Sequence, residues 1–490
     1  MSIAKNHREH QEVFFPMILK YDTQQQVKQE KQQVSQQVTR ELEQFLAPLL
    51  LILDELLDKR LIRTCVQSLV AILRFRNLKQ GLLLSELGSY MDSYDGLSET
   101  APAGTKRLGN FIRSKKWGKK IVEEYLLDRA NTEVERMQER GKRVVCAWDG
   151  SVLEKPESEK SEGLSGVVSS KAKRLRKSRK GIVWNVQGGK PITVAGMHWI
   201  GALMTGMEGV AWVAMMDWWT TKGKYATKQR VQEAEMLATW IGRWGQSVIH
   251  VFDRGYASAA WLEVVQAFEA IFVIRWIKTH LFFDADGNEK RLCDIGRGKR
   301  YPFHKVISDM NGQKFSCDLW WTQVRHAGYA DQLYYVKVRV GGSIWRLITN
   351  ESVFTEEQAW QVFFTYRRRW KIEMSFRYGK SELAMESPRL WSWENRLKLL
   401  SLVVLVYSFL LYLLKEIYSS LIEQLLRLKC HRTGKRLQGT LVPLYRIRWA
   451  LSRLWDEALP LLGALYPPTL ETISALSAFA SFDGFLQNQG

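Results

Sequence analysis

Apolar residues along this chain follow two spacings, one typical of helices and one typical of strands. Up to about residue 142 they recur at helical spacing, most clearly over residues 42–73. Short apolar runs then begin with residues 144–148 and alternate with helical segments up to residue 278. Residues 279–349 are rich in turns and strand formers, and a capping box at Thr355 opens a further helix. The pattern predicts an α/β protein with helical regions at both ends.

Two of the predicted strands are followed by an aspartate. Residues 144–148 lead into Asp149, and a second apolar strand leads into Asp253 before Gly255 turns the chain into a helix. A buried aspartate is rare unless it is paired or binds a metal. Neighbouring strands could bring both carboxylates together, in a site that suits Mg²⁺ or Mn²⁺. His250 points away from Asp253 on an alternating strand, so we interpret it as a packing residue.

A third carboxylate lies in residues 366–380. On a continuous helix, Tyr366, Arg369, Glu373 and Lys380 fall within an arc of roughly 60° and share one face. Taken alone, this face also fits a basic amphipathic helix with an ordinary ion pair. Asp149 and Asp253 upstream favour a site in which Glu373 helps to hold metal ions and its neighbours hold phosphates.

The net charge of +20 and the pI of about 9.6 predict a polyanionic partner. Two segments concentrate the cations. Residues 105–120 combine Lys106, Arg107, Lys115 and Lys116 with apolar residues, as in a helix that lies along a DNA backbone, although a solvated basic face also fits. Residues 154–180 are acidic and then basic, and we expect a mobile loop there. Its four basic candidates for non-specific DNA contact are Lys173, Arg174, Arg176 and Lys177, although a plain solvated loop is the alternative.

Five scattered cysteines without a CxxC pair argue for a reducing compartment and against a disulfide framework. The first residues lack the apolar segment of a secretory signal. Residues 399–414 carry no charge, but sixteen residues are fewer than the roughly 20 that cross a bilayer. We therefore expect a buried helix there and a cytoplasmic protein without a membrane partner.

The spacing Tyr-x2-Arg-x3-Glu-x6-Lys, preceded by Asp149-Gly-Ser and Asp253-Arg-Gly-Tyr, resembles the DDE transposases of the insertion-sequence-4 family from about residue 143 to 400. The resemblance implies an RNase-H-like mixed-sheet catalytic core that an all-β insertion interrupts before the catalytic glutamate. It also implies two Mg²⁺ (or Mn²⁺) ions per active site, held by Asp149, Asp253 and Glu373. The expected activity is cut-and-paste cleavage and strand transfer at terminal inverted repeats, through a hairpin intermediate, by a homodimer on double-stranded DNA.

The same resemblance implies roles for the neighbours of the carboxylates. Tyr366, Arg369, Lys380 and Arg254 are expected to contact DNA phosphates, and Trp345 and Trp370 to lie beside the DNA, where aromatic rings can stack on an extruded base. For both tryptophans a place in the core is the alternative. The family would place the protein in the bacterial cytoplasm, associated with the nucleoid.

The chain is thus expected to divide into five regions. These are a helical, basic DNA-binding region (1–142), the first part of the core (143–278), a β-rich insertion (279–350), the second part of the core with the catalytic glutamate helix (351–418), and a helical C-terminal region proposed to dimerise (419–490). Three other functions remain open. They are an RNase-H-fold nuclease without strand transfer, a domesticated non-catalytic DNA-binding protein, and a membrane-associated protein anchored by residues 399–414.

Overall fold

The computed structural model describes residues 6–91, 100–171, 175–178, 181–184, 189–308, 313–429 and 444–458. They form two compact units. Unit 1 consists of the described residues of Met1–Arg76, Ser85–Phe111 and Leu413–Gly490, and unit 2 of those of Asn77–Leu84 and Ile112–Tyr412. Unit 2 is nearly continuous in sequence, whereas unit 1 is assembled from three separate segments.

The helices of the described residues are α1 (Asn6–Leu56), α2 (Lys59–Arg74), α3 (Leu84–Ser89), α4 (Ala101–Arg113), α5 (Lys119–Glu139), α6 (Gln229–Trp244), α7 (Ala259–Ala267), α8 (Leu292–Ile295), α9 (Glu356–Arg367), α10 (Trp370–Ser381), α11 (Trp393–Tyr412), α12 (Ser419–Lys429) and α13 (Leu444–Glu457). The strands are β1 (Val144–Glu154), β2 (Ser165–Val168), β3 (Leu175–Ser178), β4 (Gly181–Trp184), β5 (Thr193–Gly206), β6 (Ala211–Trp219), β7 (Val248–Phe252), β8 (Ile271–Arg275), β9 (Leu281–Phe283), β10 (Glu289–Arg291), β11 (Phe303–Ser308), β12 (Lys314–His326), β13 (Tyr329–Val340) and β14 (Ser343–Thr349).

Unit 1 is helical, and its C-terminal helix α13 is tied to the N-terminal helices by ion pairs. Arg74 at the end of α2 contacts Asp456 at 3.1 Å, and Lys31 of α1 contacts Glu457 at 2.7 Å. Lys429 of α12 shares the same Glu457 at 2.5 Å. These contacts join residues that are several hundred positions apart in the sequence.

The basic segment 105–120 is not one helix. Helix α4 ends at Arg113, and Gly118 in an extended conformation precedes α5. Between them the Ser114 hydroxyl accepts a hydrogen bond from the Lys116 amide at 3.3 Å, a local turn that competes with helix. Lys106 and Arg107 therefore lie in α4, and Lys115 and Lys116 lie in the turn.

Five strands of unit 2 have the connectivity of an RNase-H-like core, in the order β6-β5-β1-β7-β8. Strands β1, β5 and β6 form an antiparallel meander, whereas β7 is parallel to β1 and β8 is parallel to β7. Helices α6 and α7 provide the crossovers, because parallel neighbours need a long connection. The predicted α/β class and mixed sheet are confirmed.

The insertion extends this sheet. Its last strand, β14, pairs with β8, and the order continues through β13, β12, β9 and β10, with β11 also on β12. The expectation of an all-β insertion needs one correction, because Leu292–Ile295 form the short helix α8.

The described residues of the segment 154–180 contain more regular structure than the loop that we expected from its charges. Strand β1 continues to Glu154, and β2 pairs with β5. The buried Glu154 carboxylate accepts from the Ser169 and Ser170 hydroxyls, both at 2.7 Å, which closes the loop onto the sheet. Lys173 and Arg174 lie outside the described residues, as do the side chains of Arg176 and Lys177 in β3.

Alternation along the strands divides the core of unit 2 between two faces. Cys146 and Trp148 pack with α5, α6 and α7, and Val145 and Val251 pack with α9 on the opposite face. His250 is fully buried, and its Nδ1 accepts from Trp148 Nε1 at 2.9 Å, which confirms it as a packing residue.

The uncharged segment 399–414 falls mostly in α11. Among the described residues, α11 is the one helix long and apolar enough to span a membrane by length and composition, and 83% of that stretch is buried. It packs against α5 and β6, and Arg129 of α5 lies 5.3 Å from the Tyr412 ring centroid. The expected buried helix is confirmed.

Candidate active site

The register of two parallel strands brings Asp149 and Asp253 to the same level of the sheet. Ala147 is paired with Val251, the last pair between β1 and β7, and each aspartate lies two residues further on. Because adjacent strands are about 4.8 Å apart and side chains alternate, both carboxylates lie side by side on the α9 face. Asp253 Oδ1 accepts from the Gly255 amide at 2.7 Å, and Asp149 Oδ1 accepts from the Gly150 amide at 2.8 Å.

The sequence predicts that the strand ends near Asp149, but the strand continues beyond this residue. Asp149 is paired with Gly201 of β5, and the β1–β5 pairing continues to Glu154. Pairing on one side thus keeps the backbone extended after the pairing with β7 has stopped. On the side of β7, Asp149 therefore has no strand pairing, although the residue stays paired with β5 in the sheet.

The glutamate segment is also not the single helix that we expected. Helix α9 begins at the predicted capping box of Thr355 and Gln358 and ends at Arg367, and α10 begins at Trp370. Between them the Arg369 amide donates to the Tyr366 carbonyl at 3.1 Å, a three-residue spacing that tightens the turn. The Arg369 guanidinium still lies 5.9 Å from the Tyr366 ring centroid, so the two stay adjacent across the break.

Two glycines allow α10 to lie close to the sheet. A Cβ on Gly201, the partner of Asp149, would lie 3.0 Å from Phe376 Cε1 and 3.1 Å from Ile372 Cδ1. A Cβ on Gly379 would lie 2.8 Å from the Trp199 ring. Both approaches are closer than almost all Cβ contacts in proteins, so the two glycines let α10, which carries Glu373, pack closely on β5.

Arg369 joins the helix to the sheet. Its Nη1 donates to Asp149 Oδ2 at 3.0 Å, and its Nη2 donates to Glu373 Oε1. Both bonds are charge-assisted, because a guanidinium donates to carboxylates. They are also poorly solvated, because Arg369 is only 8% exposed. One guanidinium therefore contacts two of the three predicted carboxylates, and its single positive charge offsets only one of their two negative charges.

The three negative charges act on one another. Burial raises the pKa of Asp149 to about 6, and the charges of Asp253 and Glu373 push it in the same direction, while Arg369 opposes them. A buried carboxylate beside two others is costly to ionise. The site thus holds more negative charge than Arg369 compensates, which favours an additional cation.

The fit to a metal ion is best for the two aspartates. The described residues contain no group of three His, Cys, Asp or Glu side chains arranged to hold a metal, because Glu373 is turned towards Arg369. Asp149 and Asp253 line one cleft of about 290 Å³ together with Glu233. Mg²⁺ is commonly bound through one or two carboxylates plus phosphate oxygens of the substrate, so this donor pair fits it.

Lys380 belongs to a different cluster of charges. Burial lowers its pKa, the carboxylates of Glu386 and Glu154 oppose that effect, and Lys171 adds to it. Glu154 and Glu386 are joined by a hydrogen bond from the Glu154 amide to Glu386 Oε1 at 3.2 Å. The structure thus brings Tyr366, Arg369 and Glu373 together but places Lys380 with this second group.

The remaining predicted DNA contacts differ in exposure. Arg254 is exposed in the turn directly after Asp253, and Trp370 is 53% exposed at the start of α10. Trp345 is half-buried, with its ring centroid 5.5 Å from that of Tyr366 and 5.1 Å from the Arg275 guanidinium. Trp345 therefore borders the site through Tyr366.

Two features of the cleft had no role in the sequence analysis. Glu233 of α6 is fully buried and accepts from Arg230 Nη1 and Gln229 Nε2, both at 2.7 Å. His198 lies flat on Trp219, with ring centroids 3.9 Å apart. The sequence offered one signal for Glu233, its position three residues after Arg230 near a helix start, but the same spacing is common on solvated helices.

The site thus combines a mixed sheet, two adjacent aspartates and the glutamate of α10. The family model of the transposase DDE domain matches residues 143–409, more than half of the chain. The chain therefore belongs to the transposase DDE domain family and is a DDE transposase, an enzyme class that acts on DNA.

Other comparisons are more distant. No curated protein matches the chain. Among solved structures, the cryo-EM structure of the piggyBac transposase synaptic complex with hairpin DNA aligns with 86% of this chain and 76% of that chain, at 11% sequence identity and a TM-score of 0.39.

Proposed function

We propose that this transposase belongs to the insertion-sequence-4 group and catalyses Mg²⁺-dependent cleavage and strand transfer at the terminal inverted repeats of its element. The observation that carries the proposal is that Asp149 and Asp253 follow the parallel strands β1 and β7 at equivalent positions. Arg369 links Glu373 to Asp149 by hydrogen bonds to both carboxylates. Cut-and-paste transfer through a hairpin intermediate is part of the same proposal.

The chain's own groups suggest a division of tasks. Asp149 and Asp253 would bind Mg²⁺ or Mn²⁺, two ions per site, and Glu373 would join them when Arg369 turns to the DNA. Such ions activate an attacking oxygen and neutralise the leaving oxygen of a phosphodiester. Arg369 would exchange a carboxylate for a phosphate, because a planar guanidinium binds both groups in the same paired geometry.

The DNA would approach the exposed side of this site. We propose that Arg254 and Trp370, which are exposed, and Trp345, whose ring packs on Tyr366, contact this DNA. We extend the DNA surface to Lys380 and to the basic residues Lys106, Arg107, Lys115 and Lys116. The five-region division, DNA binding by the N-terminal region, dimerisation through the C-terminal region and a bacterial cytoplasmic location beside the nucleoid belong to the same proposal.

Glu373→Gln tests this function, because the amide keeps the shape of the side chain but not its charge. We expect cleavage of linear DNA carrying the sequences that flank the reading frame to fall by at least about 10³-fold. Binding to the same DNA in a gel shift should change little. Glu357→Gln, an exposed glutamate in the first turn of α9, is the matched control and should cleave normally.

Three outcomes would contradict the proposal. Normal cleavage by Glu373→Gln would show that Glu373 is not a catalytic residue. If the protein cleaved DNA but did not join pre-cut ends to a target plasmid, it would be a nuclease without strand transfer. Binding without any cleavage by the wild-type protein in Mg²⁺ or Mn²⁺ would leave a non-catalytic DNA-binding protein.

A further inference from the structure

Two basic side chains near the break between α9 and α10 converge on the hairpin that joins β5 to β6. Arg368, in the break, donates through Nη2 to Thr205 Oγ1 at 3.0 Å and to the Gly209 carbonyl at 3.3 Å. Lys371, in the first turn of α10, donates through Nζ to the same Gly209 carbonyl and, at 3.3 Å, to Thr205 Oγ1. A guanidinium and an ammonium therefore lie side by side on two neutral acceptors.

The positive charge of this pair is poorly compensated. Neither side chain forms an ion pair with a carboxylate in the part of the chain that the structure describes. Burial and the charge of Arg367 lower the pKa of Arg368 to about 10, and the exposed Glu208 opposes them. Burial also lowers the pKa of Lys371, and Arg368 adds to that effect. Two positive charges thus lie beside one exposed carboxylate, and an anion would offset their repulsion.

Both side chains can still reach a ligand. Arg368 and Lys371 are half-buried, so part of each residue meets solvent. A guanidinium and an ammonium together carry more N–H donors than their four bonds to Thr205 and Gly209 use. Arginine and lysine donors side by side suit the oxygens of a phosphate, which accept several charge-assisted hydrogen bonds. The chemistry of the pair therefore fits a phosphate group.

The pair lies on the same face of the sheet as the predicted metal ligands. On β5, Gly201 is paired with Asp149 and Thr205 with Val145, and positions an even number of residues apart point to one face. The four residues from Gly201 to Thr205 span about 13 Å. A DNA strand advances about 3.4 Å along the helix axis per nucleotide, so DNA lying along β5 would bring a phosphate about four nucleotides from the cut to this pair.

We propose that Arg368 and Lys371 form a second phosphate-binding site, which holds a backbone phosphate of the DNA a few nucleotides from the bond that is cut. The inference rests on the proposed function in one respect, because DNA must cross this face of the sheet to reach Asp149. The two cations bind and orient the DNA and take no part in the chemical step. Thr205 and Gly209 position them.

Replacing both cations by glutamine tests the site in the full chain. Affinity of Arg368→Gln/Lys371→Gln for the flanking DNA, measured by fluorescence anisotropy, should fall by about 10- to 100-fold. The slope of log affinity against log salt concentration should decrease by about 0.9, because one phosphate contact no longer releases counterions. A lower thermal unfolding midpoint with an unchanged salt slope would make the pair structural and overturn the proposal.

Arg377→Gln is the matched control for the single variant Lys371→Gln. Arg377 is an exposed cation of the same helix α10, so both changes alter the net charge equally. We expect Lys371→Gln to weaken DNA binding and Arg377→Gln to leave it nearly unchanged. Equal losses would show that only the net charge matters, which would contradict a defined phosphate site.

Neutral phosphate analogues locate the contact on the DNA. A methylphosphonate placed at each linkage within about four nucleotides of the cut should weaken wild-type binding at one position. Arg368→Gln/Lys371→Gln should tolerate the methylphosphonate at that position, because the contact is already lost. Equal weakening of the wild type and the double variant at every position would overturn the proposal.

The wild-type protein tests the site even if the double variant does not fold. Bound DNA should protect Lys371 from reductive methylation, measured by mass spectrometry, because the phosphate covers its ammonium. Equal methylation of Lys371 with and without DNA would contradict the proposal.

Cleavage assays separate this inference from the proposed function. If the wild-type protein binds the flanking DNA without cutting it, the proposed function fails, and the binding measurements still decide the phosphate site. If the wild type cuts the DNA and the substitutions of Arg368 and Lys371 leave affinity and salt slope unchanged, the inference alone is wrong.

Discussion

Strand β1 carries two carboxylates, Asp149 and Glu154, whose surroundings differ. Glu154 accepts hydrogen bonds from both hydroxyls of Ser169 and Ser170 and from the Ser170 amide. Burial works to raise its pKa, but these bonds outweigh it and hold the pKa below the usual range. Asp149 has one backbone donor and half of a shared guanidinium, and its pKa is raised.

The difference is that one end of the strand closes a loop, whereas the other end carries the aspartate for which we propose a role in the chemistry. The protein itself satisfies Glu154, so that carboxylate closes a loop and has little left for a ligand. Asp149 shares one guanidinium with Glu373 and lies beside Asp253, so the three carboxylates carry more negative charge than Arg369 offsets. This excess of negative charge around Asp149 supports its proposed role as a metal ligand.

The largest expected effect separates the two carboxylates by activity. Asp149→Asn should lower DNA cleavage by at least about 10³-fold, because an amide is a poor ligand for Mg²⁺. Glu154→Gln should cleave at close to the wild-type rate but unfold more easily, by about 1–3 kcal/mol, because buried donors lose a charged acceptor. Equal activity losses in the two variants would break the comparison.

A smaller effect separates them by pH, measured as thermal unfolding midpoints in EDTA. Asp149 has a folded pKa of about 6, above its unfolded value near 3.9, so its ionisation lowers the free energy of unfolding above pH 6. That loss disappears as the pH falls from about 6 to about 4. Asp149→Asn should therefore be more stable than wild type at pH 7, by at most about 3 kcal/mol, and lose that advantage near pH 4.

The contribution of Glu154 to stability depends on pH in the opposite direction. Because its folded pKa is lowered, it contributes stability above its unfolded pKa, and the contribution is lost as pH falls through the folded value. Glu154→Gln should thus be less stable than wild type at pH 7 and approach it in acid. If the pH dependence of the two variants had the same sign, the proposed contrast would be wrong.

The smallest effect concerns the distance between α10 and Asp149. Gly201→Ala would press on Ile372 and Phe376, and overpacking of this kind costs about 1–3 kcal/mol. We expect a lower unfolding midpoint and a cleavage rate reduced several-fold. Gly242→Ala is the control, because nothing lies within 4 Å of its Cβ and alanine favours α6 by up to about 1 kcal/mol.

Much of this site could be predicted from the sequence because its elements are locally encoded. The apolar runs before Asp149 and Asp253 indicated strands, and the capping box at Thr355 fixed the start of α9. Neighbouring parallel strands then bring aspartates at equivalent positions together. These features depend on residues that are close in the sequence.

The features that escaped prediction depend on residues that are distant in the sequence. No glycine or proline marks the break at Arg369, so the segment looked like one helix. Asp149-Gly-Ser resembled a turn, but pairing with β5 keeps it extended. Glu233 looks solvated until Arg230 is seen to reach Gly255, and Lys380 looked like a neighbour of Glu373 until Glu386 came to lie beside it.

The division of unit 1 has a consequence for synthesis on the ribosome. Unit 2 can fold once its single main segment, Ile112–Tyr412, has emerged, but the helices α1 and α2 must wait for Asp456 and Glu457. At about 5–20 residues per second, the roughly 400 residues between them take from about 20 s to more than a minute. A nascent chain of this enzyme would therefore complete its catalytic core before its terminal helices could close on one another.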